Sequence, residues 1–339
     1  MNGQKVGKWR DWPHIIEMQQ FDRKHLELIW DMSDHPDRID TNPLEGKRIG
    51  IFFAQESTRT YWSFIFAADS LGAKVFYDNS FAVTSSVAKG ESYTATMGII
   101  SGYGRLDLFV LRFPKDWVYR VKERIGKPTV NGGAGNLQHP TQAFIDGHIF
   151  RKKLGTLDGK KFLIFGDLQN SRAAHSLAYE LCMFDDVEIT FLSPESRPIP
   201  VGIREHMREK GVKFRELTDR TMPSLDEVFS EHNGVYAIRP QTNLDEEKLS
   251  SERVAEMYRP FHVTQKALDA LKGVLTHPLP NTDVELPDAI IDANDSIKEV
   301  NGRFVQTGGK IVANEAAIIS GLETRKVALK LCLVPGLLE

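Results

Sequence analysis

Hydrophobic positions in this chain gather in short β-rich runs, and stretches of helical spacing separate them. In the first half the runs Lys47–Phe53, Ala73–Tyr77, Asp107–Phe113 and Pro128–Asn131 predict strands. Helices are predicted between them, near Thr58–Leu71, Glu91–Tyr103 and Lys115–Ile125. The second half repeats the scheme, with strands expected at Lys161–Gly166, Val187–Leu192, Val212–Glu216, Gly234–Ile238 and Val274–His277. Its helices are expected at Arg172–Met183, Ile203–Lys210, Ser224–Glu231 and Gln265–Leu271. Strands alternating with helices predict an α/β protein built on two doubly wound parallel sheets. A helical pattern from Gln142 to Leu154, stopped by Gly155, separates the halves and marks the domain boundary. Two more helices are expected at the ends, about Asp22–Met32 and about Ala313–Leu333, packing together to tie the domains.

The 339 residues suit two domains of common size. With 41% hydrophobic and 26% charged residues the composition is that of a globular protein. A net charge of −3 gives no basic field for nucleic acid or an anionic membrane, so any anion specificity must come from a local site. The polar stretch Met1–Arg10 lacks the apolar core of a secretory signal, and no apolar run approaches the ~20 residues of a membrane span. Cys182 and Cys332 form neither a CxxC pair nor a disulfide framework and read as buried, reduced thiols of a cytoplasmic protein.

Doubly wound sheets bind ligands at the carboxyl ends of their strands, which makes the residues just after each strand the informative ones. After Lys47–Phe53 comes Ser57-Thr58-Arg59-Thr60 at a helix start, where free backbone N–H groups, the helix dipole, hydroxyls and a guanidinium suit an anion. Taken alone, that tetrapeptide is equally a helix cap beside a surface arginine. The same plain readings fit each remaining candidate: a surface loop for Ser85–Glu91, an ion-paired Arg112, and a capped helix start for His139-Pro140-Thr141-Gln142.

Together, and in this order, these segments resemble the aspartate/ornithine carbamoyltransferase family. Gly166-Asp167, Ser171–Leu177, Arg239-Pro240-Gln241 and His277-Pro278-Leu279-Pro280 continue the match, which runs from about His14 to the last helix. The resemblance implies a carbamoyl-phosphate-binding domain over residues 1–145, joined by the last helix, and an amino-acid-binding domain over 155–300. The active site is then expected in the cleft between them. It implies that Ser57, Thr58, Arg59 and Thr60 hold phosphate, that Arg112 touches phosphate and carbonyl oxygen, and that His139 and Thr60 bond the carbonyl oxygen. Gln142 and the backbone carbonyls of Pro278 and Leu279 would hold the carbamoyl NH2. A homotrimer is implied, with Ser85 and Lys89 reaching into a neighbour's site. No cofactor and no metal is expected, since His139 and His277 belong to no ligand-spaced set.

His-Pro-Leu-Pro and the Arg-Pro-Gln after a strand resemble the aspartate branch rather than the ornithine branch. They imply that Arg172 and Gln241 take the α-carboxylate of the acceptor and that Arg239 and Lys89 take its side-chain carboxylate. The implied activity is formation of N-carbamoyl-L-aspartate in pyrimidine biosynthesis. Tyr61, Leu244, Asn281 and Asn314 stand where that branch usually has arginine. Another short carboxylate-bearing acceptor, or an inactive scaffold or regulatory relative, is therefore the alternative reading.

Overall fold

A computed structural model describes residues 14–36, 43–241, 249–277, 297–300, 303–306, 310–312 and 320–334. The chain divides into two compact units, residues 1–144 with 321–339, and residues 145–320.

The first unit carries a parallel sheet of four strands, β1 (Arg48–Phe53), β2 (Lys74–Asp78), β3 (Leu108–Arg112) and β4 (Thr129–Asn131), in the order β2-β1-β3-β4. Its helices are α1 (Arg23–Asp34), α2 (Thr58–Ser70), α3 (Phe81–Thr84), α4 (Tyr93–Gly102) and α5 (Trp117–Ile125). Helix α6 (Pro140–Leu154) starts in this unit and ends in the second. The central strands β1 and β3 are buried nearly throughout, as runs of Ile, Leu, Val and Phe covered on both faces must be. Phe52, Phe109, Leu111 and Phe113 pack with Met97 of α4 and Val118 and Val121 of α5 to form the core on one side. Edge strand β2 stays largely exposed, with Tyr77 at 58%.

The second unit has five parallel strands, β5 (Lys161–Gly166), β6 (Glu188–Ser193), β7 (Lys213–Thr218), β8 (Gly234–Ile238) and β9 (Val274–Thr276), in the order β7-β6-β5-β8-β9. Helices α7 (Arg172–Leu181), α8 (Val201–Glu209), α9 (Leu225–Ser230), α10 (Ser251–Tyr258) and α11 (Gln265–Ala270) accompany it. Leu163, Phe165, Val235 and Leu275 of the sheet pack on Phe229, Phe261 and Leu268. A two-stranded antiparallel pair, β10 (Ile297–Val300) and β11 (Arg303–Gln306), was not among the expected elements, nor were α3 and α10.

The last helix, α12 (Gly321–Leu333), packs on both α1 and α2. The two terminal helices therefore pack together as expected. Both α1 and α12 belong to the first unit, and the apolar face of α1 (Leu26, Ile29, Trp30) is buried within it. The upstream part of that expected helix, 313–319, lies outside the described residues. The Ser85–Glu91 segment is also more ordered than a surface loop, for Ser86–Lys89 forms a 3-10 turn closed by Gly90 in the left-handed region.

One buried carboxyl in the second unit has a measurable consequence. Glu180 of α7 is fully buried, and among the described residues neither of its oxygens meets a hydrogen-bond partner. Burial first, and then the nearby Asp146, raise its pKa well above the usual 4.5. The native chain keeps a proton there that the unfolded chain releases, so stability falls as pH rises above the unfolded value. Between about pH 5 and pH 8 the Tm of Glu180→Gln is expected to fall less steeply than that of the parent. Parallel Tm curves for the two proteins would contradict this.

Candidate functional site

In each unit the strand order reverses once, and polar side chains stand at that reversal. The first sheet runs from β1 outward to β2 and then crosses to β3 on the other side, so the crevice lies between β1 and β3. Phe53 and Arg112 are register partners at the carboxyl ends of these two strands. Beyond β1 the chain turns into α2, whose first turn carries Thr58, Arg59 and Thr60. Ser57 occupies the N-cap position but its side chain makes no capping bond. By contrast, Asp22, Ser92 and Ser171 accept backbone N–H bonds at the starts of α1, α4 and α7. The start of α2 is thus not capped by its own Ser57 side chain, a setting that suits an anion at a helix N-terminus. Thr58 and Arg59 are exposed, Ser57 is half-buried and Thr60 is buried.

Arg112 is fixed from two sides. Its Nη1 donates to the carbonyl of Gly132 at 3.2 Å and its Nη2 to the carbonyl of Glu56 at 3.3 Å, while the guanidinium lies 5.9 Å from the Phe53 ring centroid. It therefore bridges the turn after β1 and the turn after β4. His139 is buried, with Nε2 3.4 Å from Thr60 Oγ1 and Nδ1 3.5 Å from Thr141 Oγ1. Its own carbonyl accepts the N–H groups of Gln142 and Ala143, as an N-cap residue does, with Pro140 at the first helical position where no N–H is needed. Thr60 and His139 thus meet in the first unit, Arg112 is held in the same unit by Gly132 and Glu56, and Gln142 stands in the first turn of α6. Half-buried Ser85 and exposed Lys89 lie on the turn that follows α3.

Asn131 is a supporting residue that the sequence reading passed over. Fully buried at the end of β4, it donates to the carbonyls of Ile16 and Gln138, and its Oδ1 accepts the N–H of Gly133. The loop leading to His139 is thereby fixed. The available signal was an amide closing an apolar strand directly before two glycines.

The second sheet reverses between β5 and β8. Gly166 ends β5 at φ +115°, and a Cβ there would lie 2.0 Å from the carbonyl oxygen of Ile238, so only glycine fits. Asp167 follows it, buried, accepting the N–H of Asn170 at 3.2 Å and the N–H of Gln241 at 2.9 Å. Burial raises its pKa, and the bond from Gln241 and the charge of Arg197 oppose that rise. The Gly-Asp pair is thus the clasp that joins the end of β5 to the segment after β8, a role its motif alone did not reveal. Arg172 opens α7, capped by Ser171, and burial of its charged end together with the charge of Arg239 pushes its pKa down to about 10. Two arginines at strand ends, the charge of one felt by the other, suit a ligand with more than one carboxylate. Arg239 and Gln241 are both half-buried.

Pro278 and Leu279 lie outside the described residues, as do Leu244, Asn281 and Asn314. Tyr61 is buried at 5% exposure, edge-on to Phe53 at 5.5 Å and to Tyr77 at 6.0 Å. Burial first, then Tyr77 and Asp78, push its hydroxyl up to about 12, so it fills the core between β1 and β2 as a neutral ring.

Fold and strand-end chemistry define an α/β protein with one anion-suited crevice in each unit. Residues 13–152 match the family model described as aspartate/ornithine carbamoyltransferase, carbamoyl-P binding domain, and residues 158–303 match its Asp/Orn binding domain. The chain is 37% identical over 79% of its length to aspartate carbamoyltransferase 3, chloroplastic, of Pisum sativum, covering 68% of that protein. It is 33% identical over 80% of its length to the aspartate carbamoyltransferase catalytic subunit of Methanocaldococcus jannaschii, covering 87% of it. A solved structure of the M. jannaschii aspartate transcarbamoylase catalytic subunit aligns with a TM-score of 0.75 at 28% identity, over 94% of this chain and 97% of that one. The chain belongs to the aspartate/ornithine carbamoyltransferase family. It is a carbamoyltransferase. Among its described residues no helix is long and apolar enough to cross a membrane.

Proposed function

We propose that this carbamoyltransferase uses L-aspartate as acceptor, giving N-carbamoyl-L-aspartate and phosphate, and works as a homotrimer with shared sites. What supports the acceptor is the setting of Arg172, whose pKa is pushed down to about 10 by burial first and then by the charge of Arg239. An α-carboxylate on Arg172 and Gln241 and a side-chain carboxylate on Arg239 and a neighbour's Lys89 would relieve that repulsion. Ornithine would bring an ammonium group towards the same two cations, and the Asp167 oxygens already accept the N–H groups of Asn170 and Gln241. The relatives named above are aspartate carbamoyltransferases, which supports the same choice.

In this reading Ser57, Thr58, Arg59 and Thr60 hold the phosphate with the α2 amides, and Ser85 of a neighbouring copy adds a hydroxyl. The amine lone pair attacks the carbonyl carbon as the C=O electron pair moves onto oxygen. Arg112, His139 and Thr60 donate to that oxygen. Gln142 and the carbonyls of Pro278 and Leu279 accept from the carbamoyl NH2 and fix its plane. Collapse expels phosphate, which takes the proton that the amine nitrogen loses, so no separate base is required. Each donor aimed at the developing oxyanion contributes roughly 3–4 kcal/mol. Holding amine and carbonyl in line adds up to ~7–11 kcal/mol.

An acceptor panel with carbamoyl phosphate, read as phosphate release, tests the reading with aspartate, asparagine, glutamate, ornithine and diaminopropionate. Turnover is expected with aspartate at a kcat/KM at least about 10²-fold above asparagine, ornithine and diaminopropionate, which lack the second carboxylate or add an ammonium group, and above glutamate by the smaller factor, about 10- to 200-fold, that one extra methylene brings. Turnover with another amine and none with aspartate would replace the acceptor, and silence with every amine would leave a scaffold.

A further inference from the structure

The first turn of α2 is braced from behind by α12. Ser63, one turn further along α2, donates its hydroxyl to the carbonyl of Arg59 at 2.6 Å and lies 3.0 Å from the carbonyl of Thr60. The same hydroxyl oxygen accepts an N–H from Nη1 of Arg325 on α12. Arg325 is 2% exposed, also donates to the carbonyl of Gly321 at 3.5 Å, and has its guanidinium 5.1 Å from the Phe64 ring centroid. A chain of donors therefore runs from a buried cation, through one hydroxyl, to the backbone of the two residues that carry the Arg59 and Thr60 side chains.

The physics gives each link a job. A serine that bonds back to the carbonyl four residues earlier competes with the helical amide bond and bends the helix locally. Here that back-bond lies under the first turn, so it sets how the turn presents its amides and hydroxyls. An N–H from a charged group strengthens the bond its acceptor makes next, because hydrogen bonds in series polarise one another. A full positive charge among low-dielectric side chains also adds to the partial positive charge of the helix start. A methionine at 325 would pack on Phe64 as well as the arginine stem does, but would supply neither the directed N–H nor the charge. Burying a guanidinium is costly without bonded partners, and one of those found here, Ser63, leads to the turn that suits an anion.

We propose that Arg325 is a positioning residue for the phosphate end of the substrate, acting through Ser63 on the Ser57–Thr60 turn; this rests on the carbamoyl phosphate reading above. It touches no substrate itself. Its effect belongs to the first unit, so the donor side of the kinetics should feel it and the acceptor side should not.

The test compares the full-length parent with Ser63→Ala, Arg325→Met, the double variant, and Ser63→Thr, which keeps the hydroxyl. KM for carbamoyl phosphate, KM for the acceptor, kcat and the Kd of inorganic phosphate are measured, with a thermal melt for each protein. Ser63→Ala and Arg325→Met are each expected to raise the carbamoyl phosphate KM and the phosphate Kd about 10-fold, the size of one lost charge-assisted bond. The acceptor KM should stay within about twofold, Ser63→Thr should recover most of the loss, and the double variant should be no worse than Arg325→Met, as one pathway requires. Should Arg325→Met fail to fold, Ser63→Ala and Ser63→Thr decide the matter, since neither removes a buried charge. An unchanged phosphate Kd in Ser63→Ala, multiplied effects in the double variant, or equal changes in both KM values would each overturn the proposal. A parent that releases no phosphate from carbamoyl phosphate sinks the functional reading and this inference with it. A fully active parent beside an unaffected Ser63→Ala sinks the inference alone.

Discussion

Replacing His139 by alanine is expected to lower kcat for carbamoyl transfer by about 10²–10³-fold, the cost of one oxyanion donor, in a chain that still folds. The two roles of this residue separate cleanly. Its backbone carbonyl accepts the N–H groups of Gln142 and Ala143 at the start of α6, and alanine keeps that carbonyl. The imidazole, buried beside Thr60 and Thr141, is what the substitution removes. A donor that acts on the tetrahedral state and only weakly on bound substrate shows its loss in kcat, with KM for carbamoyl phosphate moving far less. The cavity left by the ring lowers Tm by some degrees, so a melt must accompany the kinetics. A folded His139→Ala protein with near-parental kcat would remove the residue from the reaction.

Mixing that inactive chain with an inactive Lys89→Ala chain is expected to bring activity back. If Lys89 serves a neighbour's site while His139 serves its own, a randomly assembled hybrid trimer has intact sites wherever a Lys89→Ala chain meets a His139→Ala neighbour. At equal proportions that is about one site in four, against almost none in either parent mixture. Lys89 suits the role because it is exposed, at the end of the short turn closed by left-handed Gly90. The check is phosphate release after denaturation and joint refolding, with subunit exchange followed by differently tagged chains. Mixtures that exchange and stay inactive would show that Lys89 serves its own chain or none.

Much of the fold was legible because both sheets are central and apolar. β5 and β8 begin and end where the sequence placed them, and the other strands differ by a residue or two at their ends. What escaped was short or peripheral. The β10–β11 pair flanks Asn301-Gly302, a strong hairpin dipeptide, but it falls where the alternation of sheet strands and crossover helices has already ended. Helix α10 begins at a Ser250 cap but runs into Pro260 within three turns, so its pattern is brief. At the site, position after a strand singled out Arg112, Arg239 and the Ser57–Thr60 turn. The bonds that give those residues their setting are between segments distant in sequence. Asp167 with Gln241, Arg325 with Ser63 and Arg112 with Gly132 are visible only once the sheets are folded.

Arg112 has a last consequence that concerns entropy. Gripped by the carbonyls of Gly132 and Glu56 and resting near the Phe53 ring, its long side chain gave up its rotamers when the chain folded. A phosphate bound there, as proposed, need not bear that ordering cost, roughly 0.5–1.5 kcal/mol for a side chain of this kind. In the proposed carbamoyl phosphate site Arg112 would then be a fixed jaw that defines where the anion sits.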